Sequence, residues 1–172
     1  TIDGGETWDS RWISEDDFHL NKMFPVGQSL FIAAEAGMVY RSDDNGESWQ
    51  GLLTPYEGSF FGGMALDDAQ LLIFGLRGNI FQSSDLGENW TQVESSTEAS
   101  LTNGLRLQNG KVLIVGLAGT LLVSSDLGKT FTPVPQENRK GFSSLVSTAE
   151  GDVVAVGEFG VKKFSSKVLD AF

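Results

Sequence analysis

The chain has no cysteine in its 172 residues, which rules out disulfides, thiolate metal sites and a catalytic thiol together. It has one histidine, His19, which leaves little room for a histidine-based zinc site or a serine–histidine dyad. Only two tyrosines are present, Tyr40 and Tyr56, and only four prolines. Positive charge is also scarce: 12 lysines and arginines stand against 23 aspartates and glutamates, for a net charge of −11. Such a surface repels nucleic acid and anionic membranes, and it suits a basic protein partner. No apolar run approaches the roughly 18–20 residues of a spanning helix, so direct membrane insertion is not expected. No segment carries an amphipathic helical period of useful length.

What the chain does have is a repeat. The string Ser/Thr-x-Asp-x-Gly-x-(Ser/Thr/Asn)-(Trp/Phe) occurs four times, with its aspartates at Asp3, Asp44, Asp85 and Asp126, each 41 residues from the last. Glycine-containing turns ahead of the boxes, at Ala34–Gly37, Gly75–Gly78, Gly116–Gly119 and Gly157–Gly160, keep the same step. A fixed period between 20 and 50 residues marks one supersecondary unit copied side by side.

Each unit reads as four short strands. In the second they are about Phe60–Leu66, Gln70–Phe74, Asn79–Ser83 and Trp90–Glu94. Apolar runs rich in Val, Ile, Leu and Phe, bounded by Gly, Asp, Asn and Ser, are strand signals. Leu71–Phe74 and Val112–Val115 are apolar throughout, as strands covered on both faces are. Four-stranded units at this period are propeller blades. The predicted fold is therefore all-β: a β-propeller of four-stranded antiparallel blades, about four blade equivalents in this chain.

The box falls in the turn between the third and fourth strands. Its aspartate suits an Asx-type turn, its glycine a left-handed backbone, and its final aromatic a blade core. The structural set is Asp3, Gly5, Trp8; Asp44, Gly46, Trp49; Asp85, Gly87, Trp90; and Asp126, Gly128, Phe131. A calcium loop would need further oxygen ligands at fixed spacing that the boxes lack, so neither metal nor cofactor is expected. An aromatic sugar platform is disfavoured because the aromatics recur with the blades.

Blades are expected at about 18–53, 59–94 and 100–134. Residues 142–164 supply three strands of a further blade, which residues 1–13 are placed to complete. Three closures stay open: a longer propeller of about seven blades, two chains forming one ring as a homodimer, or four blades closing alone. The chain begins inside a box and without a methionine, so its natural N-terminus is expected upstream, and no signal segment is visible. Lys167 stands where a fifth box aspartate is due, as in an atypical end repeat.

The boxes resemble the Asp-box, or BNR, repeat of sialidases, secreted glucanases, sortilin-type receptors and the photosystem II stability/assembly factors. The last family's pattern G-x-x-G-x-(I/L)-x-x-S-x-D-x-G-x-x-W is similar to Gly75–Trp90 here. That resemblance implies a non-catalytic, protein-binding scaffold acting outside the cytoplasm (periplasmic, lumenal or secreted) in the assembly of membrane protein complexes. The family's arginine cluster has no repeat-encoded counterpart, because Arg11, Arg41, Arg77, Arg106 and Arg139 fall at five different repeat positions. Sialidases carry an arginine triad, a nucleophilic tyrosine and an Arg-Ile-Pro segment, and this chain has no such segment. The alternatives are a fragment of a secreted carbohydrate-active enzyme, for which Asp16, Asp17, Glu57, Asp67 and Asp68 are candidate acids, and a structural arc without its own ligand.

No catalytic residue is expected. Fold-encoding positions recur between repeats and functional ones need not, so the partner-binding candidates are Asn21, Lys22, Arg77, Asn103 and Arg106. In a strict 41-residue register Lys22 matches Gly63, Gly104 and Leu145, while Asn21 and Asn103 match Gly62 and Ser144. His19 matches Phe60, Leu101 and Phe142, which marks a packed or rim histidine rather than a catalytic one.

Overall fold

The computed structural model describes residues 1–169 and contains four antiparallel sheets arranged as successive blades. Blade 1 is β1 (Leu20–Val26), β2 (Ser29–Ala34), β3 (Met38–Ser42) and β4 (Gln50–Leu53). Blade 2 is β5 (Phe60–Ala65), β6 (Leu71–Gly75), β7 (Ile80–Ser83) and β8 (Thr91–Val93). Blade 3 is β9 (Leu101–Arg106), β10 (Val112–Gly116), β11 (Leu121–Ser124) and β12 (Thr132–Pro133). Blade 4 has three strands, β13 (Phe142–Ser147), β14 (Val153–Gly157) and β15 (Gly160–Phe164), followed by a short helix, α1 (Ser166–Leu169). Within each sheet the strands lie in chain order, and the first strands of consecutive blades are neighbours. No helix among the described residues is long and apolar enough to cross a membrane.

The core lies between the blades, so each junction is one hydrophobic cluster. Phe24, Phe31, Val39 and Leu52 of blade 1 meet Phe60, Ile73 and Phe81 of blade 2. Met64, Leu72, Phe74 and Ile80 of blade 2 meet Leu101, Ile114, Leu122 and Phe131 of blade 3. Leu113, Val115, Leu121 and Val134 of blade 3 meet Phe142, Leu145 and Ala155 of blade 4. A central strand therefore alternates between its two neighbouring blades and reads as continuously apolar. Burying one such Phe or Leu contributes roughly 1.5–3 kcal/mol.

At the inner strands the fit is one of large against small. A Cβ at Gly63 would collide with the Phe24 ring, and one at Gly104 with the end of Met64. At the third junction Leu105 and Leu145 share the space. Each inner strand also carries a bulge at the same place, at Asn21, Phe61, Thr102 and Ser143. These residues step by 40, 41 and 41.

That step corrects the strict 41-residue register of blade 1. Its first turn has two residues, Gly27 and Gln28, where blade 2 uses Asp67, Asp68 and Ala69. Lys22 rather than Asn21 therefore matches Gly62, Asn103 and Ser144, and Leu20 rather than His19 matches Phe60, Leu101 and Phe142. A second shortening occurs in blade 4, where Gly157 pairs directly with Gly160. It shifts the expected fifth box aspartate from Lys167 to Ser166, whose N–H donates to Asp152 Oδ1 at 2.9 Å.

Residues 1–13 contain no strand and do not complete blade 4 within the chain. Ile13 packs instead with Ile32, Ala34 and Tyr40 on the outer face of blade 1. The arc is open, with blades 1 and 4 at its two ends.

Candidate functional site

The boxes are built alike. In the second, the Ser42 hydroxyl donates to Asp44 Oδ1 at 2.8 Å and accepts the Gly46 N–H at 2.8 Å. Asp44 also accepts the Ser48 N–H at 2.9 Å and the Ser48 hydroxyl at 2.6 Å. Hydrogen bonds from Ser48 and Ser42 bring the Asp44 carboxyl down to about 2. At Asp126 burial pushes upward, but bonds from Thr130 and Ser124 outweigh it and hold the value at about 2. Asp85 is lowered by the Asn89 side chain and backbone, and Asp3 falls below the usual carboxylate range through Thr1 and Thr7. Each aspartate is thus occupied by its own turn. Among the described residues no group of three His, Cys, Asp or Glu side chains is arranged to hold a metal ion.

Two box aromatics reach back to the preceding blade, while Trp49 packs on Ile32, Ala34 and Tyr40 of its own blade. Phe131 is 8% exposed in the blade 2–3 cluster, and Trp90 packs on the blade 1–2 cluster. Trp8 belongs to no sheet and is 78% exposed.

The five partner-binding candidates take different places. The Asn21 amide donates to the Phe60 carbonyl at 2.9 Å, clasping blade 1 to blade 2. The Asn103 amide donates to Ser144 Oγ at 3.3 Å, and the neighbouring Thr102 hydroxyl donates to the Phe142 carbonyl at 2.8 Å. Asn21 and Asn103 therefore sit in interblade contacts. Lys22 is exposed on β1. Arg77 is exposed in the second turn of blade 2 at φ 56°, beside a groove of about 340 Å³ that Asn79, Gln92, Ser95 and Glu98 also line. Arg106 is exposed at the far end of β9 and helps lower the Asp67 carboxyl, which Ala69 N–H chiefly depresses. Arg77 and Arg106 thus stand at opposite ends of the strands and do not converge.

The acids named as enzyme candidates do not converge either. Asp67 and Asp68 lie in the first turn of blade 2 and Glu57 in the loop that enters it, at opposite ends of β5. Asp67 accepts the N–H groups of Ala69 and Gln70 at 2.9 and 2.7 Å, so its pKa moves away from that of a general acid. His19 is exposed, with Nδ1 3.2 Å from Glu35 Oε2, a rim position.

Arg41 was not singled out by the repeat. Its side chain is 16% exposed and bridges Asp43 of its own blade to Glu88 Oε1 and the Leu86 carbonyl of blade 2, at 3.0–3.1 Å. Gln82 repeats the reach, donating to the Leu127 carbonyl of blade 3 at 3.2 Å. The signal was a long polar residue at one repeat position facing a box loop one blade on.

Comparisons with known proteins agree with this architecture. The family model described as photosynthesis system II assembly factor YCF48 matches residues 1–133. The solved structure of YCF48 bound to D1 peptide superposes with a TM-score of 0.73 at 20% identity, over 97% of this chain and 56% of that one. An ancestral GH74 enzyme gives 0.74 at 17% identity, over 84% of this chain and 22% of that one. The WD40 β-propeller domain of Doa1 gives 0.75 at 13% identity, over 90% of this chain and 53% of that one. At these identities the superpositions establish the propeller fold. No curated protein matches the chain. This chain spans just over half the length of the YCF48 structure. With three quarters of its residues inside the family model, the chain belongs to the photosynthesis system II assembly factor YCF48 family.

Proposed function

We propose that this protein is a non-catalytic, protein-binding scaffold that holds an extended segment of a membrane protein during assembly, outside the cytoplasm. One observation carries the reading: the chain belongs to the YCF48 family, and a YCF48 with the same fold is described with a D1 peptide bound. The geometry is compatible, since the box aspartates are engaged in their own turns and the candidate acids are dispersed. The binding surface we assign is the end of the arc that carries Arg77, together with Lys22 on the innermost strand. Asn21, Asn103 and Arg106 contribute by holding or flanking the inner strands.

The test is fluorescence anisotropy with a labelled D1 peptide and with tail peptides of other membrane proteins. Saturable binding that weakens about tenfold or more in a Lys22→Glu/Arg77→Glu double variant, a change of at least about 1.4 kcal/mol, supports the assignment. Binding that ignores both substitutions sends the site elsewhere, and no binding to any peptide removes the scaffold reading. Turnover of aryl glycosides would favour instead the enzyme alternative that the GH74 likeness keeps in view.

A further inference from the structure

The second turn of each blade leaves one backbone bond unmade. Glu35, Leu76, Leu117 and Glu158 open these turns, 41 residues apart. Each donates its N–H to the carbonyl just ahead of the inner strand, at His19, Ser59, Ser100 and Gly141 respectively, at 2.8–3.2 Å. A regular antiparallel pair would return that bond. Here the carbonyls of Glu35, Leu76 and Leu117 are taken by their own turns, accepting the N–H groups of Met38, Asn79 and Thr120 at 3.1–3.3 Å. The N–H at the entrance to each inner strand is therefore left without a backbone acceptor.

Blades 1 and 4 fill the gap with a carboxylate of their own. The His19 N–H donates to Glu35 Oε1 at 3.0 Å, and the Gly141 N–H to Glu158 Oε2 at 2.6 Å. Blades 2 and 3 carry Leu76 and Leu117 at that position, and leucine has no acceptor to offer. Among the described residues, neither the N–H nor the hydroxyl of Ser59 or Ser100 makes a hydrogen bond. Serine stands at this entrance only in blades 2 and 3, so each open N–H has a hydroxyl beside it. Both serines are half-buried, where an unpaired donor is costly, and Leu117 is 49% exposed.

We propose that Ser59 and Ser100 each bind a carboxylate of a partner peptide through the backbone N–H and the hydroxyl, in the place that Glu35 and Glu158 fill for blades 1 and 4. Hydrogen bonds to a charged acceptor are the stronger kind. The inference rests on the peptide-binding reading above and gives that surface a chemistry. The two serines lead into β5 and β9, neighbouring inner strands, so the sites lie side by side at the end of the arc that carries Arg77. Glu57 and Glu98, exposed two residues ahead of the serines, set a condition on the partner. They repel a strongly acidic segment, so the carboxylate is carried on an otherwise neutral or basic one, as a side chain or as the C-terminus.

The experiment is titration of acetate into the isotope-labelled full chain, read by amide chemical shifts. The Ser59 and Ser100 amides should move downfield and saturate. Leu76→Glu supplies an internal carboxylate, so it should hold the Ser59 amide at its acetate-bound position and abolish the response there, leaving Ser100 responsive. Leu117→Glu should do the reverse. Ser59→Ala and Ser100→Ala remove only the hydroxyl and should weaken acetate about threefold or more at their own site. Amides that do not respond, or responses that every one of these substitutions leaves unchanged, overturn the proposal. Fluorescence anisotropy with the labelled D1 peptide, with free and with amidated C-terminus, then separates the two sources. Binding of both forms that is lost in Leu76→Glu/Leu117→Glu identifies a side-chain carboxylate, and binding of the free acid alone identifies the C-terminus. Peptide binding that ignores this double variant overturns the proposal and leaves the scaffold reading standing. Acetate sites that respond while no peptide binds support the carboxylate sites and remove the scaffold reading.

Discussion

The box Thr1–Trp8 and the box Ser83–Trp90 make the same turn and reach opposite outcomes. In both, the first hydroxyl accepts the glycine N–H at 2.8–2.9 Å, and the aspartate accepts the N–H four residues on at 2.9–3.0 Å. Yet Trp90 packs on the core between blades 1 and 2, while Trp8 is 78% exposed. The box is thus a local device that closes wherever its eight residues occur. Burial of its aromatic is non-local and needs a sheet to pack on: Trp49, with no blade behind blade 1, still packs on Ile32, Ala34 and Tyr40 of its own blade, and Trp8 has no such sheet. Local hydrogen bonds organise the turn, and interblade apolar contact supplies most of the stability.

The sharpest way to break this comparison is to empty an interblade core while leaving every box intact. Phe74→Ala removes a fully buried ring between blades 2 and 3. It should cost about 3–5 kcal/mol in chemical denaturation. A smaller loss would mean that blade 2 stands without its neighbour. Arg41→Ala cuts the polar stitch between blades 1 and 2 and should cost about 1–2 kcal/mol, less than the ring, as read from the same denaturation midpoints. Asp85→Ala removes the centre of a buttressed box and should cost about 1 kcal/mol, because the carboxylate remains partly solvated. Asp3→Ala, in the box that belongs to no sheet, should leave the global midpoint unchanged while increasing amide exchange at Gly5 and Thr7.

The box aspartates also make stability depend on pH. The box aspartates have folded pKa values below the usual value of about 3.8, near 2 for Asp44 and Asp126. Their unfolded counterparts bind protons first as the pH falls, so the stabilisation is complete above about pH 5 and is lost towards about pH 2. Acid titration of the unfolding midpoint should show that decline, and Asp126→Asn should make it shallower. An unchanged slope would place the acid sensitivity outside the boxes.

The even spacing of Asp3, Asp44, Asp85 and Asp126 made the blades legible, since each unit repeats one turn and one set of apolar strands. What the spacing could not reveal were two single-residue deletions in turns. The shorter Gly27–Gln28 turn moved Lys22 onto the position of Asn103, and the shorter Gly157–Gly160 turn moved Lys163 onto the position of Arg41. A count of 41 passes over both, because the boxes of blades 1 to 3 stay in step. Asn21 and Asn103 stood out as polar residues at inner-strand positions, and the structure engages both in contacts between neighbouring blades. A side chain that departs from the repeat can serve its neighbour as readily as a ligand, and only geometry separates the two.

Phe24 over Gly63 and Met64 over Gly104 have a consequence for assembly order. The backbones of the blades are nearly interchangeable, so nothing in the sheets themselves forbids stacking blade 3 directly on blade 1 while the chain folds. The unequal side chains act as serial numbers. Leu145 in place of a glycine denies Phe24 a seat on blade 4, whereas Gly63 and Gly104 each leave room for a large side chain. The chain thereby marks blade 4, by one residue on its inner strand, as a blade that cannot follow blade 1.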